Sequence, residues 1–193
     1  MIEIISRFSD AIAAGGLRPD GIIPDGEIHR IAAKRAEAML THSQPASPDR
    51  PYLTAKSVKP HGIRQQGSGL LIPIYVGNEL PSMQSIFPNG DKRFLPGGRI
   101  SGGCYLIPDE TTNKLILIAE GFATGATLHE RTGAACYVAF NANNLLPVAR
   151  YVRAQHPHGD IIVCADNDAW TNGNPGVTRA MLAAMQKRQG SAR

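Results

Sequence analysis

Three carboxylates in the second half of the chain stand where apolar, strand-like runs end. Residues 114–119 (KLILIA) lead directly into Glu120-Gly121, and residues 160–165 (DIIVCA) lead directly into Asp166-Asn167-Asp168. Asp166 and Asp168, two apart, project to the same side of an extended chain. Carboxylates gathered this closely repel one another and lose hydration, which destabilises a fold unless a cation neutralises them. Oxygen-only ligands suit Mg²⁺ or Mn²⁺, with water and phosphate completing the shell around Mg²⁺. Such a site activates a hydroxyl and stabilises charge on a phosphoryl group in transfer. Acids after strands also cap helices and form turns, so neither Glu-Gly nor Asp-x-Asp alone specifies a metal. Their joint placement at strand ends points to one, and Gly121 keeps the backbone open beside Glu120.

The elements that must position these acids are legible in the same stretch. From residue 114 onward, strands KLILIA, ACYVAF and DIIVCA alternate with helices TGATLHERTG, NLLPVARYVRAQ and PGVTRAMLAAMQKRQ. Continuous apolar strands alternating with helices predict a parallel sheet with right-handed crossovers. Ligands of such sheets bind beyond the carboxyl ends of the strands, where all three acids fall.

Upstream the texture differs. Between residues 52 and 108, LLIPIYV, LPSMQSIF and KRFL are short β-type runs separated by GN, NGD and PGG turns. They predict a small antiparallel sheet, with Gly97-Gly98 and Gly102-Gly103 marking tight bends or close backbone approaches. Residues 2–14 and 28–40 are apolar at helical spacing, and THSQPASPDRP after them reads as a linker. The expected organisation is an N-terminal helical segment and linker over 1–48, a basic β-rich subdomain over 49–113, and an α/β subdomain over 114–193.

Charge divides along the same lines. Residues 50–99 hold seven Lys/Arg against two acids, whereas residues 1–49 hold five against seven and residues 100–193 hold eight against seven. A basic middle beside a nearly neutral α/β part suggests an anionic partner held next to the acidic site. The apolar fraction is 42% and no apolar run reaches the length of a membrane span. The N-terminus lacks the order of a signal peptide, so a cytoplasmic protein without a membrane partner is expected. Cys104, Cys136 and Cys164 have no CxxC spacing, which excludes a zinc ribbon, and Cys136 and Cys164 read as buried thiols.

The string ILIAEGFATGATLHERTG, followed by VAFNANNL and then IIVCADND, resembles the TOPRIM domain of plasmid and satellite-phage DNA primases. Glu120-Gly121-Phe122-Ala123-Thr124 is similar to that family's Glu-Gly-Tyr-Ala-Thr-Ala signature, with Phe for Tyr and Gly125 for the final Ala. Asp166-x-Asp168 is similar to its acidic pair. Upstream, PYLTAKSVKPHGIR, LLIPIYV and SMQSIFPNGDKRFLPGGRISGGCY look like the segment that precedes TOPRIM in those enzymes. The resemblance implies an α/β, Rossmann-like and mostly parallel sheet with flanking helices, preceded by a small antiparallel segment and an N-terminal helical appendage.

The activity it implies is synthesis of short RNA primers on single-stranded DNA from ribonucleoside triphosphates. Glu120, Asp166 and Asp168 would be catalytic and metal-binding, with Mg²⁺ or Mn²⁺ as cofactor; Gly121 and Thr124 support the motif. Phosphate-contacting roles fall to Lys92 and Arg93, and further to Arg64, Arg99, Lys56, Lys59 and His61. Tyr52, Tyr75, Phe87 and Phe94 are candidates for base stacking. No GxxxxGK[ST] run occurs, so a separate helicase is an expected partner. A metal-dependent TOPRIM nuclease and a non-catalytic DNA-binding accessory protein are the alternatives. The sequence stops after its last predicted helix, which leads one to expect a TOPRIM sheet lacking its last strand. His129 is expected on the surface and His156-Pro157-His158 in a solvated loop; Trp170 either covers the acidic site or packs.

Overall fold

The computed structural model of the chain describes residues 25–110 and 114–164. The helices expected over 2–14 and 175–189 lie outside those residues, as do Asp166, Asp168, Trp170 and any final strand.

Helix α1 (Asp25–Thr41) places Asp25 and Glu27 in its first turn, where acids complement the helix dipole. Its buried side is made of Ala32 and Ala36, small enough to let the helix lie close against Leu71, Met83 and Leu95. Those residues belong to or adjoin a five-stranded antiparallel sheet in the order β1 (Gln44–Pro45), β2 (Arg64–Gln66), β3 (Gly69–Val76), β4 (Glu79–Ile86), β5 (Lys92–Phe94). The stretch 41–51, read above as a linker, thus holds β1 and leads into a short helix, α2 (Pro51–Lys56). Its prolines are compatible with both: Pro45 ends a strand at the sheet's edge, and Pro51 opens a helix, where its missing N–H is not required.

Strand β3 is buried over six consecutive residues because both of its faces are covered. Leu71 faces α1, while Leu70, Ile72 and Ile74 join the main core. Pro73 is tolerated here because β2 pairs no further along than Leu71. Two residues on, Tyr75 and Cys104 exchange N–H···O bonds of 3.0 and 2.9 Å, which tether this sheet to the next.

The second sheet has the order β6 (Tyr105–Ile107), β8 (Ala135–Val138), β7 (Leu115–Ala119), β9 (Asp160–Cys164). Strands β8, β7 and β9 are parallel, as the strand–helix alternation predicts, and β6 is an antiparallel edge that the sequence did not announce. Helix α3 (Phe122–Thr132) covers one face and α4 (Leu145–Gln155) the other. One core runs from Leu70, Ile72 and Ile74 of the first sheet to Leu117, Phe122 and Val138 of the second. No helix among the described residues is long and apolar enough to cross a membrane.

Of the paired glycines, Gly97, Gly98 and Gly103 are close approaches, and Gly102 is a bend with φ +75°. A Cβ on Gly97 would lie 2.6 Å from Ile28 Cγ2, and one on Gly103 would lie 2.6 Å from Ile74 Cγ2.

Candidate active site at the carboxyl edge of the parallel strands

Strand β7 is buried from Ile116 to Ala119, so Glu120 is the first residue to emerge at the carboxyl edge. Glu120 is half-buried, and its Oε2 is shielded from solvent. Gly121 follows as the N-cap of α3, and Phe122, wholly buried, anchors the helix from beneath. The carboxylate thus stands beside a helix N-terminus, whose N–H groups favour negative charge. Thr124, half-buried, lies in the same first turn.

The neighbouring strand ends at the same level. Ala139 N–H donates to Ala119 O at 2.8 Å, extending the β8–β7 ladder by one bond. Phe140 then adopts φ +73°, and Asn141 accepts the N–H of Asn144 on its side chain at 3.1 Å, capping the 3₁₀ turn Ala142–Asn144. On the other flank β9 pairs with β7 up to Ala119↔Cys164. Asp166 and Asp168, two and four residues further along the sequence, are outside the described residues.

Across this edge hangs β5. Lys92 and Phe94, two apart, share a face of that strand. Phe94 meets Phe140 edge-on at 6.3 Å between ring centroids. A methyl group built on Gly121 would lie 3.7 Å from Lys92 Nζ, so the ammonium stands next to the Glu120-Gly121 step. Arg93 belongs to the opposite face, where its guanidinium lies over the Phe87 ring at 5.2 Å. Of the two adjacent basic residues, the structure brings Lys92 to the Glu120-Gly121 step.

The other basic residues are placed elsewhere. Arg64 donates to Ser43 Oγ at 3.1 Å and to Ser43 O at 2.6 Å, holding the chain between α1 and β1. Arg99 pairs with Glu79 at 2.7 Å. The Lys59 N–H and His61 Nε2 meet Glu130 Oε1 at 2.8 and 2.7 Å. Glu130 is ten residues beyond Glu120, about 15 Å away along a helix. That end of α3 is therefore remote from the strand-edge acid. Lys56 ends α2 at an exposed position.

Partial desolvation works to raise the Glu130 carboxyl. The Lys59 N–H, the His61 hydrogen bond and the charges of His61 and Lys59 outweigh it and hold the group below the ordinary carboxylate range. His129 is not a surface residue: it is 2% exposed, its Nδ1 lies 2.9 Å from Ala134 O, and its ring packs edge-on to His61. Helical position alone could not reveal that this face of α3 meets the turn at His61. His156 likewise is half-buried, with Nε2 2.9 Å from the Tyr137 hydroxyl, while His158 is exposed.

Among the stacking candidates, Tyr52 is core and Phe94 packs against Phe140. Cys104 and Cys136 are buried free thiols, Cys164 is half-buried, and burial pushes Cys136 up to about 12. Among the described residues no group of three His, Cys, Asp or Glu side chains is placed to hold a metal ion. Glu120 contributes a hard oxygen donor of the type Mg²⁺ takes, at the edge where the two aspartates follow in sequence.

Residues the sequence reading passed over include Phe140 and Asn144. Phe140 was counted as the end of the strand ACYVAF, which stops at Val138, and Asn144 stood only in the string VAFNANNL of the resemblance.

A parallel sheet with an acid at the carboxyl end of its middle strand and Gly at the following helix cap is the frame of a TOPRIM domain. Residues 115–192 match the Toprim domain family, and the chain carries a TOPRIM domain of the plasmid-primase type. It is 31% identical over 167 residues to a DNA primase TraC of Escherichia coli, covering 81% of this chain and 16% of that protein. A second DNA primase TraC of the same species is 29% identical over 173 residues, covering 84% of this chain and 12% of that protein. The chain therefore spans less than a fifth of the length of either relative. No solved structure matches it significantly.

Proposed function

We propose that the chain carries the nucleotidyl-transfer centre of a primase-type enzyme, which makes short RNA primers on single-stranded DNA with Mg²⁺ or Mn²⁺. The observation that carries this reading is the juxtaposition of Lys92 with the Glu120-Gly121 step at the carboxyl edge of the parallel strands. An exposed ammonium at the residue that follows a strand-end acid suits a triphosphate whose charge must be shared between protein and cation. The similarity to the two TraC primases supports the same reading.

In this reading Glu120, Asp166 and Asp168 hold the divalent ion, which when bound supplies charge neutralisation for phosphoryl transfer. Lys92 and the N–H groups opening α3 bind triphosphate oxygens. Glu120 also orients the attacking 3′-hydroxyl. Template DNA is held mainly through its phosphates by exposed basic residues of the 50–99 segment, Lys56, Lys59 and Arg93 among them, so binding weakens with salt. Arg64, Arg99 and His61 play a lesser part, because Ser43, Glu79 and Glu130 already engage them. A separate helicase would supply the single strand.

The test is incubation with single-stranded template, four ribonucleotides and Mg²⁺ or Mn²⁺. Short labelled RNA is expected from the wild type and none from Glu120→Gln, whose DNA affinity stays unchanged. Undiminished synthesis by Glu120→Gln would refute the mechanism. Template degradation would instead indicate a nuclease, and salt-sensitive binding without turnover an accessory protein.

A further inference from the structure

Asn144 is 3% exposed, and each polar atom of its side chain is engaged. Its Oδ1 accepts from Gly102 N–H at 2.7 Å, and its Nδ2 donates to Gly103 O and to Ala139 O, both at 2.8 Å. Its own N–H donates to Asn141 Oδ1 and Asn141 O, both at 3.1 Å. One residue therefore joins the loop that precedes β6, the last rung of the β8–β7 ladder, and the turn that follows that rung. Buried amide networks of this kind define a single geometry when every member is satisfied.

Between Ala139 and Asn141 lies Phe140, at φ +73°. A bulky residue avoids this left-handed conformation unless its surroundings impose it. Here the bonds from Asn144 grip the backbone on both sides. Held so, Phe140 is 8% exposed and meets Phe94 in a T-shaped contact. Phe94 shares a face of β5 with Lys92, whose Nζ stands at Gly121.

We infer that Asn144 is a positioning residue for the phosphate-binding Lys92. By fixing the Ala139–Asn141 turn it sets the Phe140–Phe94 contact, and that contact registers β5 over Glu120. The inference rests on the reading of Lys92 given above and adds the device that places it. It also explains why a buried amide is spent on the strand end rather than on the helix it begins.

The test is titration of a fluorescent ribonucleoside triphosphate, in Mg²⁺, into wild type, Lys92→Ala, Asn144→Ala and the double variant. Loss of a hydrogen bond to a charged phosphate weakens affinity about tenfold or more. That loss is expected from each single variant, with the double variant no weaker than either, because both changes remove the same contact. Val152→Ala, a core truncation in α4, should lower the melting temperature and leave triphosphate affinity unchanged. Should Asn144→Ala fail to fold, Phe140→Gly replaces it in the cycle, since glycine accepts the left-handed backbone while losing the ring.

Multiplicative losses in the double variant would overturn the inference. So would wild-type affinity in the Asn144→Ala or Phe140→Gly chain, or no triphosphate binding by the wild type. Coupling in the titration without any primer synthesis would leave the positioning role standing and reject the primase reading.

Discussion

Substituting Gly121 tests whether Lys92 serves the strand end that carries Glu120. A glycine beside Glu120 suggests that the backbone needs its freedom. Yet Gly121 has φ −117° and ψ 156°, extended backbone that any residue adopts. What surrounds it is Lys92 Nζ, 3.7 Å from where a Cβ would stand, which is an ordinary contact. For Gly121→Ala two small effects oppose each other. Restricting the unfolded chain stabilises by about 0.4–1 kcal/mol. Alanine is also a poorer N-cap than glycine, at a cost of about 0.5–1 kcal/mol. The difference lies within about 0.5 kcal/mol, or roughly 2 °C in melting temperature for a chain of this size.

Gly121→Leu is another matter, since its branched end must occupy the space that holds the ammonium. Its triphosphate affinity should fall by about tenfold, to the level of Lys92→Ala, with Gly121→Ala staying near wild type. Thermal melting followed by circular dichroism and the fluorescent triphosphate titration read the two quantities separately. A Gly121→Ala chain melting far below wild type would show that the backbone does need glycine. A Gly121→Leu chain with wild-type affinity would show that Lys92 does not serve this strand end.

Two further outcomes follow from the packing. A Cβ at Gly98 would collide with Ser82 Oγ and lie 2.6 Å from Ser82 Cβ, a fully buried side chain. Gly98→Ala should therefore destabilise by about 3 kcal/mol, roughly 6–12 °C, with partial recovery when Ser82→Gly is added; an unchanged melting temperature would refute the contact. Glu130 titrates below its unfolded value, so its contribution is fully present above that value, near 4.5, and is lost as the pH falls through the folded one. Wild type should melt above Glu130→Gln at neutral pH, with the gap closing under acid conditions; a gap independent of pH would rule out the carboxylate's part in holding Lys59 and His61.

Strands β3, β4 and β7 to β9 were legible because their apolar runs are long and bounded by Gly, Asn and Pro, and β5 because it follows the NGD turn. Strands β1, β2 and β6 were not. Each is two or three residues long, and Gln44–Pro45 or Arg64–Gln66 carries no apolar pattern of its own. They are strands because a neighbour offers unpaired N–H and C=O groups, which is a property of the partner. The helix over 28–40 was visible by its spacing, but its buried alanines gave no sign that it lies against the first sheet. His129 was misjudged for the same reason, since a polar residue on a helix reads as exposed until the opposing surface is known.

By itself the sequence determined that an acid and a glycine follow a buried strand, that two aspartates follow another, and that basic residues precede both. Those are local facts of residue type and period; the domain type came from the resemblance that their motifs carry. The tertiary structure decided where each basic residue goes. It put Lys92 beside Gly121, next to the strand-end acid, and turned Arg93 onto Phe87, because successive residues of a strand face opposite ways. It gave Arg64 to Ser43, Arg99 to Glu79 and His61 to Glu130. Charge along a chain sets what can be attracted; only the register of β5 over the strand ends decides where.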